Sequence, residues 1–140
     1  MEIKIAETQA EFFGLIQLRK EVFVNQQQVD VNIEMDDEDL SAMHFVIRQD
    51  QQVIGTCRLV YHDDQAKLGR MAIATAYRHQ HLGTQLLRYA EDQARRHGTS
   101  KIIIAAQLQA LGFYLINGYS IISDSFIEAD IEHKLVEKVL

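Results

Sequence analysis

The sequence has no proline, no tryptophan and only one cysteine among its 140 residues. It also lacks a glycine- or serine-rich linker, a repeat and a low-complexity segment, so we predict a single domain over residues 1–140. No apolar run approaches the roughly 18 residues that a membrane-spanning helix needs, and residues 1–7 lack the apolar core of a signal peptide. These absences predict a cytoplasmic protein that has no membrane partner.

The single cysteine, Cys57, excludes an intrachain disulfide. It lies in an apolar, β-branched run over residues 53–61, which is typical of a buried strand. The sequence therefore favours a packing thiol over a catalytic nucleophile at this position.

The charge balance argues against nucleic-acid binding. The formal net charge is −6, whereas nucleic-acid binding usually needs a clustered excess of lysine and arginine, so we expect no nucleic-acid partner. Five carboxylates fall within residues 34–39, and four arginines and three histidines within residues 78–97, so one region could hold a cation and the other an anion. The pair His79 and His81 has no cysteine or acidic partner nearby, and the acidic run lacks the glycine and distal glutamate of a calcium loop. We predict no metal site.

Apolar periodicity predicts a mixture of strands and helices. The predicted elements are, in chain order, a strand at 3–6, a helix opened by a capping box of Thr8 and Glu11, strands at 43–49, 53–61 and 67–74, a helix ending near 97–98, a strand at 101–106, a helix over 110–117, and strands at 119–123 and 133–139. This order indicates an α+β fold, with a mixed and mainly antiparallel central sheet of about six to seven strands flanked by helices.

The strongest local signal is the stretch over residues 67–87, where a strand passes through a polar turn directly into a helix that begins near Gly83 and Thr84. Unpaired N–H groups in the first turn of a helix and the positive end of its dipole suit a pyrophosphate, and a glycine lets the backbone approach it closely. Arg78 adds a fork of donors. On spacing alone, the alternative is that Gly83 packs the helix and Arg78 is a solvated surface charge.

The same residues resemble the phosphate loop of the GNAT superfamily of acyl-CoA-dependent N-acetyltransferases, and in particular its small bacterial ElaA- and YjcF-like members. The family pattern is Gln or Arg, two variable residues, Gly, one variable residue, then Gly or Ala, and the chain reads RHQHLG over residues 78–83, with His81 in place of the first glycine. Further matches in the same order lie at residues 18–24, 55–59 and 113–119.

The resemblance implies that acetyl-CoA is the cosubstrate. The backbone of Met71, Ala72 and Ile73, on a strand that splays from its neighbour, would pair with the pantetheine arm, and an N–H near Met71 would polarise the thioester carbonyl. The pyrophosphate would be held by the loop and the first helical turn, namely Arg78, His79, Gln80, His81, Leu82, Gly83 and Thr84.

The resemblance also implies the catalytic groups. Tyr114 matches the family position of the general acid that protonates the leaving thiolate, the alternative being a core aromatic residue. Glu34 or Asp36 is the predicted general base, the alternative being a solvated acidic loop that caps a short helix at residues 37–41. His44 and His133 also lie where related sequences carry histidines, so each could line the acceptor pocket or act as the base.

Together these features predict an enzyme that moves an acetyl group from acetyl-CoA to an amine on a small molecule or peptide, by direct transfer in a ternary complex. The alternative is a non-catalytic acyl-CoA-binding or regulatory module with the same fold, which the unassigned base and the histidine at position 81 motivate. A third hypothesis is a homodimer whose late strands pair across subunits.

Overall fold

The computed structural model describes residues 1–140. Eight strands form one sheet, and their bounds are β1 Glu2–Ile5, β2 Met43–Gln49, β3 Gln52–His62, β4 Gln65–Ile73, β5 Lys101–Gln107, β6 Ser120–Ile121, β7 Phe126–Glu128 and β8 Ile131–Val139. Four α-helices accompany it, with bounds α1 Gln9–Arg19, α2 Val31–Glu34, α3 Leu82–Arg96 and α4 Leu111–Ile116.

The sheet has the strand order β1-β2-β3-β4-β5-β8-β6, with β7 pairing the other end of β8. Only the pair β4 and β5 is parallel, and every other pair is antiparallel. The predicted α+β class and mainly antiparallel sheet are confirmed. The strand count is eight because the tail of the chain folds into two very short strands and one long one.

Helix α1 begins as its sequence predicts. The Thr8 side chain accepts a 3.1 Å bond from the Glu11 N–H, and Glu11 in turn accepts from the Thr8 N–H at 3.0 Å. The helix continues without a break into a π-helical segment, Lys20–Gln26, and together they cross the sheet over β3. This path carries the chain to the short helix α2 at the edge of the site.

Helix α3 covers the opposite face of the sheet. Leu86, Leu87, Ala90 and Ala94 form its buried stripe, which confirms the amphipathic pattern. They pack with apolar side chains of the central strands in one cluster of 18 buried residues, and Tyr114 of α4 belongs to this cluster. No helix of the structure is long and apolar enough to cross a membrane.

Candidate active site

The site is built where β4 and β5 separate. These strands are paired only from Gln65 opposite Lys101 to Leu68 opposite Ile104, although both continue beyond that point. A β-bulge in β4 starts the separation, because Thr56 of β3 faces Ala72 whereas Arg58 faces Gly69. Beyond the bulge, the edge of β4 that faces β5 has no strand partner, which leaves room for an extended ligand.

A cavity of about 640 Å³ lies at this separation. Its walls come from β4 and β5, the segment between α1 and α2, and the turn between β7 and β8. The predicted site residues that line it are Glu34, Asp36, Met71, Arg78 and Tyr114. Ala72 and Ile73 continue β4, and residues 79–84 form the turn and the start of α3 beyond the cavity wall. The fold therefore brings the predicted general acid, the predicted bases and the strand that carries the Met71 N–H to one cavity.

Two histidines in the turn before α3 adopt a left-handed backbone conformation. His79 and His81 both have a left-handed backbone, with φ of +64° and +61°. Glycine is favoured in this region, and histidine is among the few other residues enriched there, so His81 can replace the glycine of the family pattern. No side chain caps the helix, so the first-turn N–H groups, those of Leu82, Gly83 and Thr84 among them, stay free for an anion.

Gly83 lies in close contact with α4. A Cβ atom at Gly83 would stand 3.3 Å from the Phe113 ring, and that ring meets the Tyr114 ring edge to face at 5.0 Å. The start of α3 and the predicted general acid are therefore connected through one aromatic side chain.

Arg78 is held against the end of β4. Its Nε donates a 3.0 Å bond to the Ile73 carbonyl, and one terminal nitrogen donates to Gln26 Oε1 at 3.1 Å. The other terminal nitrogen makes no bond within the chain. Arg78 is an exposed residue that is anchored at the end of β4 by two hydrogen bonds, and it keeps one free donor at the cavity wall.

Tyr114 is only 5% exposed, yet it lines the cavity. Its hydroxyl makes no hydrogen bond within the chain. Glu34 Oε1 is the one fully buried side-chain polar atom that lacks a partner, so the unbonded Tyr114 hydroxyl is not fully buried. Burial, together with the neighbouring Cys57, raises the pKa of Tyr114, so the hydroxyl keeps its proton at neutral pH. This is the state that a proton donor requires.

Cys57 is 1% exposed, and burial raises the pKa of its thiol far above the usual range. A thiol that stays protonated and inaccessible is a poor nucleophile. Cys57 is a packing residue of β3, as its sequence context indicates.

The acidic residues 34–39 join an ion-pair network, and Asp36 and Asp39 also cap a short 3₁₀ helix at Asp37–Leu40, as the alternative interpretation of the sequence expected. Arg19, only 1% exposed, donates to Glu34 Oε2 at 3.0 Å and to both oxygens of Asp39 at 2.7 and 3.1 Å. Arg58 donates two bonds to Asp36, at 2.7 and 3.0 Å, and a third to Asp39 at 2.7 Å. Arg70, at the bulge, reaches the Glu34 carbonyl at 3.0 Å and Asp36 at 3.3 Å.

Three guanidinium groups thus pair with three of the five carboxylates of residues 34–39, which leaves an excess of negative charge on this segment. The hydrogen bond from Arg58 is the main cause that lowers the pKa of Asp36. Burial opposes ionisation of Asp39, but bonds from Arg19 and Arg58 outweigh it and lower its pKa as well. The arginines that pair with this stretch come from α1, β3 and β4, while Glu38 keeps a partly exposed carboxylate at the cavity.

A glutamine pair crosses the mouth of the cavity. Gln27, just after the π-helical segment, accepts a 2.8 Å bond from the Gln107 amide at the end of β5, and Gln109 donates to Gln107. On the other side, the Gln26 amide donates to Thr75 at 3.0 Å. These bonds hold the segment between α1 and α2 against both diverging strands.

Comparison with known proteins identifies the family to which this chain belongs. Residues 7–119 match the model of the acetyltransferase (GNAT) family. The chain belongs to this family. It is an acyltransferase of the GNAT type, and β4 diverges from β5 as the resemblance implied.

Relatives and solved structures agree with the assignment to small bacterial GNAT proteins. The chain is 30% identical to the N-acetyltransferase YjcF of Bacillus subtilis over 95% of this chain and 96% of that protein. It is 28% identical to an acyl-CoA N-acyltransferase from Pseudomonas aeruginosa, with a TM-score of 0.89 over 99% and 100% of the two chains. Escherichia coli ElaA shares the fold at 21% identity, with a TM-score of 0.90 over 99% of each chain. The PaiA N-acetyltransferase of Thermoplasma acidophilum, solved in complex with coenzyme A, shares the fold at 18% identity, with a TM-score of 0.71 over 100% of each chain.

Sequence reasoning missed the arginines of the network and the glutamine pair. One signal was present for Arg58, because a charged residue inside an apolar strand must find a partner when the strand is buried. Arg70 gave another, weaker signal at the place where the splayed strand was expected. Nothing local indicated which carboxylates these arginines would meet.

Proposed function

We propose that this protein transfers an acetyl group from acetyl-CoA to an amine acceptor, directly and within one ternary complex. The observation that carries the proposal is the separation of β4 from β5 at a bulge, with the Tyr114 hydroxyl facing the same cavity. The uncapped start of α3 supports it, because it offers an anion site beside that separation. Acetyl-CoA supplies the activated acetyl group, and the residues of the chain position it and move protons.

Cosubstrate binding is assigned to two stretches of backbone. The free edge formed by Met71, Ala72 and Ile73 pairs with the pantetheine arm as an added strand would. The turn and first helical turn, residues 78–84, hold the pyrophosphate, and their alternating left-handed residues suit a concave backbone anion site. Arg78 contributes the terminal nitrogen that remains free.

The chemistry needs one group that stabilises charge and one that donates a proton. The Met71 N–H polarises the thioester carbonyl and stabilises the negative charge that develops on its oxygen, an effect worth about 2.7–4 kcal/mol per donor. Tyr114 gives its proton to the departing thiolate, since its hydroxyl is protonated, unbonded and open to the cavity. Glu34 and Asp36, the predicted bases, line the cavity but are engaged by arginines.

The test is acetyl-CoA-dependent thiol release across named amines, namely spermidine, L-lysine, glucosamine and a lysine-containing peptide, with the acetylated product identified by mass spectrometry. Thiol release that matches acetylated amine is expected. Initial rates should give intersecting double-reciprocal lines, because direct transfer needs both substrates bound together. Tight binding of acetyl-CoA without transfer to any amine would favour the non-catalytic module.

A further inference from the structure

His133 stands at the acceptor side of the cavity. It lies on β8 opposite Gln107 of β5, just where β5 has left its partner β4. Its ring is 6% exposed and lines the cavity. A histidine in such a place is held by its surroundings, yet it can still be reached from the cavity.

The hydrogen bonds of His133 fix which nitrogen carries the proton. Nδ1 lies 2.6 Å from the Ile131 carbonyl oxygen, and a carbonyl can only accept, so Nδ1 is the donor. In the neutral ring, Nε2 therefore has a free lone pair. The Phe126 ring stacks on the imidazole at 5.8 Å and 22°, and Glu128 Oε2 lies 4.0 Å from Nε2.

The other candidate bases are less well placed. Asp36 accepts two bonds from Arg58, and a proton on it would disrupt both. Glu34 is held by Arg19 and Arg70, each at 3.0 Å, and its remaining oxygen is fully buried. His44 uses Nε2 to donate to the Asp39 carbonyl at 2.9 Å and does not line the cavity.

This inference rests on the proposed function: we propose that His133, held by the Ile131 carbonyl and the Phe126 ring, is the general base of the transfer. The amine nitrogen attacks the thioester carbon, a C–N bond forms and the C–S bond breaks. Nε2 of His133 takes the proton that the nitrogen loses, and Tyr114 gives its proton to the thiolate. Both side chains then exchange protons with water, so the products are the amide and CoA with a free thiol.

The charged groups around His133 set the expected pH dependence. From β7 it faces Glu128, and from β5 the uncharged Gln107, while Glu132 and Lys134 lie next to it on β8 and point to the other face. A general base must be unprotonated to act, so transfer that depends on this imidazole should be lost in acid, whereas transfer that does not use it should not.

The test compares the wild-type protein with His133→Asn across pH, using the best acceptor of the amine panel. Asparagine keeps a donor for the Ile131 carbonyl and removes the basic nitrogen. The ratio of the two kcat/KM values is the readout, because ionisation of the acceptor is common to both and cancels. We expect a ratio of about 10² or more near pH 8, which shrinks as the pH is lowered. His97→Gln, which removes an exposed imidazole outside the cavity, is the matched control.

A second measurement does not depend on turnover. Long-range ¹H–¹⁵N correlation spectra should show the neutral His133 ring protonated on Nδ1, and a ring protonated on Nε2 overturns the assignment. A pH-independent ratio, or loss of the pH dependence in Asp36→Asn instead, also overturns it while leaving the proposed function standing. A wild-type protein that binds acetyl-CoA but acetylates none of the amines refutes the proposed function, and the assignment with it. Equal melting temperatures are required of the variants.

Discussion

Replacing Tyr114 and Tyr119 with phenylalanine, one at a time, is expected to separate catalysis from stability within a single core. The two buried rings meet edge to face at 5.8 Å, but their hydroxyls have opposite surroundings. The Tyr119 hydroxyl donates a 2.8 Å bond to Glu91, a buried carboxylate that also holds Lys138. The Tyr114 hydroxyl has no partner within the chain and faces the cavity.

The magnitudes follow from these contacts. A hydrogen bond to a charged group contributes about 1.5–3 kcal/mol, so Tyr119→Phe should lower the melting temperature by about 5–10 °C. Tyr114→Phe removes a hydroxyl that is bonded to nothing in the protein, so the free energy of unfolding should change by less than about 0.5 kcal/mol. Its turnover should fall by about 10² to 10⁴, the usual contribution of a general acid.

The assays are urea unfolding, acetyl-CoA binding by calorimetry, and thiol release with the best acceptor. Tyr114→Phe should keep its acetyl-CoA affinity and lose turnover, whereas Tyr119→Phe should keep turnover at a temperature where it is folded. Unchanged turnover in Tyr114→Phe would remove this residue from the mechanism. A large loss of stability in the same variant would show that its hydroxyl has a partner, contrary to the structure.

Three further outcomes are expected. Gly83→Val should weaken acetyl-CoA binding because its side chain would meet an aromatic ring, whereas Gly112→Val, where nothing lies within 4 Å, should not; equal affinities in both would contradict the assignment of the phosphate loop. The pKa values of Asp36 and Asp39 are lowered in the folded state, so the stability they contribute is present above their unfolded values near 4 and is lost progressively as the pH falls below about 4 towards their lower folded values. Urea midpoints that stay constant from about pH 6 to 3 would refute this. Cys57→Ala should keep its turnover, and the native thiol should resist iodoacetamide, because it is buried and protonated; loss of transfer would instead point to an acyl-enzyme.

Local patterns in the sequence were sufficient for much of the fold. The capping box of Thr8 and Glu11 and the buried stripe of α3 depend on contacts three or four residues apart, which the chain displays directly. The mainly antiparallel sheet followed from the order of short strands and helices. These predictions are confirmed because each rests on neighbours in the chain.

For the loop before α3, the sequence predicted an anion site but not the backbone conformation. The sequence placed an anion site there and left the histidine at position 81 unexplained. The structure supplies the reason, since this residue adopts a left-handed φ of +61°, which the side chain of histidine tolerates. A residue type alone does not reveal its backbone angle.

By itself, the sequence determined the class of the fold and indicated the packing role of Cys57. Only the tertiary structure decided the state of the acidic segment, where Arg19 and Arg70 reach Glu34 and Asp36 across 15 and 34 positions of the chain. It also decided that His133, and not His44, lines the cavity. Charges and lone pairs act over a few ångströms, and the sequence does not say which distant groups will come that close.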